Sequence, residues 1–520
     1  MQLFRRILLL VTIQIVIYSQ LIFSQGGNNN AFVFNGSTSQ IYINDGSFPQ
    51  GAANSDANQS GFNFFNSNST SNKITIQAWI YLIGDNPDVK MPIVYRKHNS
   101  GNSFSLYVKN NKAYFSVGNS PEVSTAEFPA FKWISLTGTF DGSTLKIYNG
   151  GNLNQSISYN LNTNYSNGEG LFIGKSTDGA FKGLIDEIRI FDIALSENNI
   201  NNSGGNGNPA EPFPSSLNQY LRAQWSFTSI NNGLLNDLSI YKNHLRVNNI
   251  TEIYPSKNLP FFVINSTGDE ADSSVGNGSA KTYLGTVTLR SAIEETNALT
   301  GKQVVYFYIT GNSPFIISPT SPLPAITDSL TLDATFQKGY SNSPLIFIDG
   351  TNSGVTDGLV ITGGNSLVQG LAIKNFNQSG IAIDNNGNNK IQNNIITNNG
   401  MNGITIKSGN NNSLLNNSIY ANQNIGIDLW TLERSGGVSL NDPLDSDEGA
   451  NRLQNFPVLV DFYSGSSGTS IKGYLESQPN KTFKLQFFSN SPTGLIDPRM
   501  GEIFLGEKTV TTNASGRADF

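Results

Sequence analysis

The sequence predicts an all-β chain in three parts. A two-sheet sandwich spans 27–254, a parallel β-helix with a capping helix at its start spans 260–440, and an incomplete second sandwich spans 456–520. Three observations carry this reading. Short runs of alternating apolar and polar residues, bounded by Gly, Asn and Ser, recur along most of the 520 residues. Between Gly358 and Trp430 the pattern repeats with a step of about 23 residues. One stretch, Leu289–Ala298, has a convincing helical pattern.

Composition narrows the function classes. Hydrophobic residues make up 38% of the chain, enough to bury cores in each part, while charged residues make up only 13%. The net charge is −6 with no basic cluster, so nucleic acid is excluded as a partner. With no cysteine, the fold must rest on large cores or bound metal rather than disulfides. His98 and His244 are the only histidines, which excludes zinc sites rich in Cys or His. The start of the chain reads as a signal peptide over 1–25, with Arg5 and Arg6 before the apolar run 7–17. A membrane anchor is the alternative. The run is short for one and is interrupted by Gln14 and Gln20, and no later segment is long and apolar enough to be a transmembrane span.

The first part has strand patterns at 31–34, 40–43, 74–81, 104–108, 113–117, 132–140, 144–148, 170–174 and 183–191, with a long polar loop over 45–72. The segments ITIQAWIY, KWISLTGTFDGSTLKIYNGG, LFIGKSTDGAFKGLIDEIRIFDIALS and LRAQWSFTS with NDLSIYKNHL resemble the laminin-G-like, concanavalin-type jelly roll. The Gln224–Phe227 segment follows the GLIDEIRIFDIALS signature here, and is read as a closing strand of the same domain. The resemblance implies a lectin-like or adhesive module, often with structural Ca²⁺, for which Asp186 is the candidate ligand. A carboxylate bonded to backbone is the other reading of Asp186. Trp79, Trp133 and Trp225 could stack on sugars, but their alternating apolar strands favour core packing.

In the second part, Thr288 is the expected N-cap of the helix. Leu289, Ala292, Ile293 and Thr296 share one face, with Glu294 and Glu295 on the other. Such a helix can cover the open end of a β-helix. Gly358, Gly380, Gly403 and Gly426 stand 22, 23 and 23 residues apart, each before apolar residues. Val368, Ile391 and Leu414 form a second column, and Ile373, Ile396 and Ile419 a third. Asn393 with Asn416, and Asn399 with Asn422, are expected to stack as amide ladders. TVTLRSAIEETNA, SPLPAITDSLTLDAT and NDPLDSDEGANRLQNFPVL resemble the CSLREA domain of bacterial surface proteins, over roughly 260–460. That resemblance implies a right-handed β-helix, an extracellular or cell-surface location and no established catalytic residues. Val287 stands where the family has a cysteine.

β-Helices also carry polysaccharide lyases and hydrolases, whose chemistry needs clustered carboxylates or acids beside a Lys or Arg base. The repeat offers Asp384 one coil below Lys407, and Lys374 in a column with Thr397 and Tyr420, a pair rather than a cluster. The densest acidic stretch lies in 441–455, where Asp445, Asp447 and Gly449 alternate as in loops that wrap Ca²⁺; a solvated linker is the alternative. GYLESQPNKTFKLQFFSN and FLGEKTVTTNASGRADF resemble an immunoglobulin-like sandwich, about two strands short. The expected function is extracellular binding or adhesion. In that reading the jelly roll recognises a glycan or surface protein, and the β-helix acts as a rigid scaffold. The alternative is a carbohydrate-active enzyme with the jelly roll as its binding module.

Overall fold

The computed structural model describes residues 30–43, 72–84, 88–98, 101–160, 170–205, 213–250, 253–255, 261–431, 437–465, 468–490 and 500–520. The expected signal peptide at 1–25 and nearly all of the loop at 45–72 lie outside them. The chain forms two compact units, Met1–Leu259 and Pro260–Phe520. No helix of the described residues is long and apolar enough to cross a membrane.

The first unit stacks two antiparallel sheets. One runs Asn152–Ser158, Thr144–Asn149, Trp133–Phe140, Ile74–Leu82, Lys182–Phe191, Asn30–Asn35 and Ile253–Pro255, with Leu221–Trp225 also paired to Lys182–Phe191. The other runs Ile230–Asn231, Leu234–Leu235, Leu245–Asn248, Gln40–Ile43, Gly170–Ile173, Met91–His98, Gly101–Lys109, Lys112–Val117 and Val123–Ser124. Alternation sends Ile76, Ala78, Ile80 and Leu136 of the first sheet toward Leu106, Phe115, Leu171 and Ile173 of the second, all of them fully buried. Gly138 shows how close the layers are. A Cβ there would stand 2.4 Å from the Phe115 ring, so the ring of one sheet fits only against a glycine of the other.

The segment after the signature does close the same domain. Trp225 lies opposite Ile188, and Leu245–Asn248 pairs with Gln40–Ile43. Asp237 ties this return together: its oxygens accept from the Gln224, Ser239 and Asn243 backbone N–H groups at 2.9, 2.8 and 2.7 Å. The outer face of the first sheet is not left to solvent. A single α-helical turn, Glu197–Ile200, and a 3₁₀ stretch, Ser215–Tyr220, bring Leu195, Ile200 and Leu217 against Tyr148, Phe191 and Leu221. Strand Ile74–Leu82 is therefore buried on both faces along its whole length.

The second unit is a parallel β-helix with three sheets. The longest runs Phe261–Ile264, Gln303–Phe307, Leu330–Asp333, Leu367–Gln369, Lys390–Gln392 and Ser413–Leu415. The second runs Phe315–Ile317, Ile346–Asp349, Leu371–Lys374, Ile395–Thr397 and Ser418–Tyr420, and the third Leu359–Ile361, Ile381–Ile383, Ile404–Ile406 and Ile427–Leu429. All three expected apolar columns hold in register: Val368–Ile391–Leu414, Ile373–Ile396–Ile419 and Ile381–Ile404–Ile427. The glycine column follows from the stacking. A Cβ on Gly358 would stand 2.3 Å from the Gly380 carbonyl oxygen, and one on Gly403 2.6 Å from that of Gly426.

Three buried asparagine ladders run along the coils, beside an exposed Asn388–Asn411 pair at 3.3 Å, and one expectation is corrected. Asn399 Nδ2 donates to Asn422 Oδ1 at 2.8 Å, as the spacing predicts. Asn393 and Asn416 are instead turn residues with φ of 55° and 53°. Their neighbours form the ladder: Asn394 Nδ2 donates to Asn417 Oδ1 at 3.1 Å. A third ladder joins Asn389 to Asn412 at 2.9 Å. Asn can take either role, since it tolerates left-handed backbone and carries a two-sided amide, and the exposed Asn388 and Asn411 take both.

At the N-terminal end, Thr288 caps helix Leu289–Ala298 in a capping box with Ser291. Leu289, Ala292 and Ile293 join the core of the coils. Glu295, expected on the outer face, is fully buried. Its carboxylate accepts from the backbone N–H groups of Gly276, Gly278 and Ser279, and so pins the preceding loop to the helix. At the other end the ladder is continued by a non-repeat residue. Asn451 Oδ1 accepts from Asn412 N at 2.8 Å, and Ala450 enters the core of the coils. Gly501, just before strand Ile503–Thr511, exchanges backbone hydrogen bonds with Ile419 at 2.7 and 2.9 Å. The last strands form a sheet Val458–Gly465, Gly468–Glu476, Arg517–Asp519 and a hairpin Thr482–Ser489, Ile503–Thr511 around Leu475, Leu485, Val510 and Ala518.

Candidate functional site

Two places gather groups that could bind a ligand. In the first unit it is the outer face of the second sheet. There the alternation calls for polar residues, yet rings occupy it. Tyr42, Phe172 and Tyr95 are direct cross-strand neighbours. Their rings lie nearly parallel, 14° and 19° apart, with centroids at 6.3 and 5.3 Å. On the next two strands, Tyr107 and Tyr114 face each other at 5.0 Å and 9°. Cross-strand aromatic pairs stabilise a sheet, but Tyr42, Phe172 and Tyr114 also keep part of their surface exposed. Polar groups edge this strip. Tyr107 Oη donates to Glu122 at 2.7 Å, and Lys90 Nζ lies 3.3 Å from the same carboxylate and 4.7 Å over the Tyr107 ring. Burial, then the bond to Glu122, raises the Tyr107 hydroxyl well above the ordinary tyrosine range, so it stays a donor. Flat apolar edges beside hydroxyl, carboxylate and ammonium groups suit a ligand that is itself half apolar and half hydroxylated.

Among the tryptophans, Trp79 and Trp225 are fully buried and belong to the core. Trp225 Nε1 donates to the Asn243 carbonyl at 3.0 Å. Trp133 is half-buried, edge-on to Tyr81. Asp186 is fully buried, directly opposite Trp79, where a bulge interrupts the pairing before Arg189.

In the second unit the acidic loop closes on itself. Asp442, Asp445 and Asp447 bring one carboxylate oxygen each to within 4.8 Å of one another. No other group of three or more acidic or histidine side chains does so among the described residues. Asp442 is the member the Asp445–Asp447–Gly449 alternation did not reveal. Asp445 is buried and structural: it accepts from Asn455 N at 2.8 Å, Ser477 Oγ at 2.6 Å and Gln454 Nε2 at 3.1 Å. Asp442 Oδ2 accepts from Ser446 N and Oγ at 2.9 and 2.8 Å. By contrast, Asp442 Oδ1 and Asp447 Oδ1 are buried without a hydrogen bond. Burial, then the charges of Asp442 and Asp445, raises the Asp447 carboxyl above its ordinary value. Hard oxygens with unmatched negative charge are the ligand set that Ca²⁺ takes.

Among the described residues the coils present no further acidic cluster, and one pairing is corrected. Lys407 does not pair with Asp384 one coil away. Its Nζ reaches Asp357 at 3.4 Å, two coils away, while Asp384 accepts from Ser408 Oγ at 2.7 Å. Lys374 does share a column with Thr397 and Tyr420, and its partner is Asp349 at 3.2 Å. Burial acts to raise the Asp349 carboxyl, but bonds from Thr351, Asn375 and Lys374 outweigh it and hold the group below the ordinary aspartate value. The stability this adds is present above the unfolded pKa and is lost as pH falls through the lowered folded value. After correction for the slower intrinsic exchange at low pH, the protection of peptides over 345–375 should therefore fall as pH drops below about 4, and Asp349→Asn should flatten that dependence.

Residues 53–201 match the concanavalin A-like lectin/glucanases superfamily, and residues 341–441 match the right handed beta helix region. The chain carries a concanavalin A-like domain followed by a right-handed β-helix. The first match includes Tyr95, Tyr107, Tyr114 and Phe172 of the aromatic strip. No curated protein matches the chain. Solved structures similar to it include a Bacteroides ovatus protein assigned as carbohydrate binding, at 16% identity, with a TM-score of 0.31, over 44% of this chain and 60% of that one. A heptameric SAP-like pentraxin from Limulus polyphemus is similar at 14% identity and a TM-score of 0.26, over 34% of this chain and 82% of that one. The binding domain of botulinum neurotoxin serotype D/C is similar at 20% identity and a TM-score of 0.22, over 25% of this chain and 35% of that one. The chain thus spans less than two thirds of the first and third of these.

Proposed function

We propose that the chain is an extracellular binding protein that recognises a glycan or a glycan-bearing surface protein through the concanavalin A-like domain. The observation that carries this is the aromatic strip of Tyr42, Phe172, Tyr95, Tyr107 and Tyr114. It lies on a face where sheet alternation alone would put polar side chains. The match to the lectin/glucanase superfamily over 53–201 supports it. The β-helix then serves as a rigid spacer, since its coils present ion pairs rather than a gathered set of acids and bases. On a glycan array the full chain should bind a subset of structures, and Phe172→Ala should weaken those signals at least tenfold. Equal binding by the variant would remove the strip from the site.

A calcium ion on Asp442, Asp445 and Asp447 is part of the same proposal, favoured by the two buried carboxylate oxygens without donors. An ion there would relieve their repulsion and tighten the loop that closes the coils. Among the described residues Asp186 is not joined by other acidic side chains into such a set, so the proposed ion belongs to the acidic loop. Calorimetric titration with CaCl₂ should release or absorb heat with the parent chain, and Asp447→Asn should weaken the affinity at least tenfold. A parent chain that shows no heat and no shift of unfolding temperature with Ca²⁺ would refute the ion.

A further inference from the structure

On the outer face of the first sheet, three adjacent strands hold a row of buried polar groups. Trp79 stands directly opposite Asp186 on one side and Ser135 on the other, and Gln77 is two residues along the same strand. Directly opposed residues share a face, as do residues two apart on one strand. Gln77, Trp79, Ser135 and Asp186 are all at least 98% buried, with exposures of 0, 0, 2 and 0%. Trp79 Nε1, Gln77 Oε1 and Ser135 Oγ nevertheless take part in no hydrogen bond. Gln77 uses only its other end, where Nε2 lies 3.5 Å from Thr137 Oγ1.

Each such orphan costs roughly 1–3 kcal/mol when nothing satisfies it. Three on one patch, beside a carboxylate, is more than a native core sustains without a partner. The chemistry of the set identifies the partner. Trp79 Nε1–H can only donate. Gln77 Oε1 can only accept, and the Ser135 hydroxyl can do either. A cation would satisfy the oxygens but would face the positive end of the indole N–H. Water matches the whole set, because it accepts from the indole while donating to the amide and carboxylate oxygens.

We infer that the first unit holds one or more internal water molecules on the outer face of its first sheet, bonded to Trp79 Nε1, Gln77 Oε1 and Ser135 Oγ. This water lies between the sheet and the residues packed over it. Arg189, whose guanidinium is 5.0 Å from the Trp79 ring and 5.3 Å from that of Phe213, lies in the same layer and donates to the Ser203 carbonyl at 2.9 Å. The site is separate from the proposed binding strip, which is on the other sheet.

The test uses the full chain with ¹⁵N-labelled indoles. The four tryptophans provide internal references, since Trp225 donates to a backbone carbonyl instead. The Trp79 indole proton should show a cross-peak to water, and the Trp225 indole proton none. Trp79→Phe serves to assign the signal. A crystal structure at high resolution should place an oxygen about 3 Å from Trp79 Nε1 and from Gln77 Oε1 or Ser135 Oγ. The inference is overturned if the Trp79 indole shows no water contact in both measurements. It is also overturned if the three groups turn to bond one another, or if the density is a cation held by oxygens alone.

Discussion

Asn394→Ala is expected to destabilise the β-helix by roughly 3 kcal/mol or more, because one side chain serves three buried groups at about 1–3 kcal/mol each. Its Oδ1 accepts from Leu371 N at 3.0 Å, and its Nδ2 donates to the Val368 carbonyl at 3.0 Å and to Asn417 Oδ1 at 3.1 Å. Alanine removes this partner from Leu371 N and the Val368 carbonyl, leaves Asn417 Oδ1 only the 394 backbone N–H at 3.2 Å, and offers no route for water, since Asn394 is 1% exposed. The neighbouring Asn393→Gly should cost little, because that position needs only a left-handed backbone, which glycine adopts freely. Urea unfolding of the full chain, with hydrogen exchange of peptides over 366–420 to localise the effect, checks both. Equal effects of the two variants would mean that the ladder at 394 is not what holds the coils.

Gly403→Ala should be of similar size for a steric reason. The added Cβ would stand 2.3 Å from Ile419 Cγ2 and 2.6 Å from the Gly426 carbonyl oxygen. Neither neighbour can retreat, since Ile419 is in the core and Gly426, in the next coil, is held by the Ile404 N–H. Overpacking of this kind costs roughly 1–3 kcal/mol, and here the contact with backbone places it at the upper end. Met401→Ala, two residues away but 39% exposed, is the matched control and should stay within about 0.5 kcal/mol of the parent.

These two residues also show where the sequence was legible and where it was not. The inward columns could be read directly, because an apolar residue at a fixed step has one place to go in a coil. The glycine column was equally visible, although its cause, the carbonyl of the next coil, needs coordinates. Asparagine was ambiguous. Asn393 and Asn394 are adjacent, and a repeat in the sequence does not say which one turns its amide inward and which one turns the chain. Lys407 was misplaced because column logic assumes a partner one step away, whereas a long flexible side chain reaches Asp357 two steps away. Glu295 was assigned to the outer face of its helix by periodicity alone. The backbone N–H groups of the 276–279 loop, which draw it inward, belong to a segment without periodicity.

In the candidate sites the pattern was similar. The alternating apolar strands favoured core packing for the tryptophans, and Trp79 and Trp225 are core residues. The partly exposed rings of the strip are Tyr42, Phe172 and Tyr114, whose signal was a ring at the polar phase of strands such as QIYI, GLFI and KAYFSV. Asp445 and Asp447 were evident from their spacing. Asp442 was hidden by Pro443 and Leu444, and joins them because residues 443–445 form a tight turn with Leu444 at φ 63°.

The central claim is binding without cleavage, and one measurement addresses it most directly. The full chain is incubated with the polysaccharide it retains best on the array, and both the bound fraction and the chain-length distribution of the polysaccharide are followed by mass. The account predicts retention that Phe172→Ala weakens, with chain lengths unchanged over the incubation. Progressive shortening of the polysaccharide by the parent chain would contradict it.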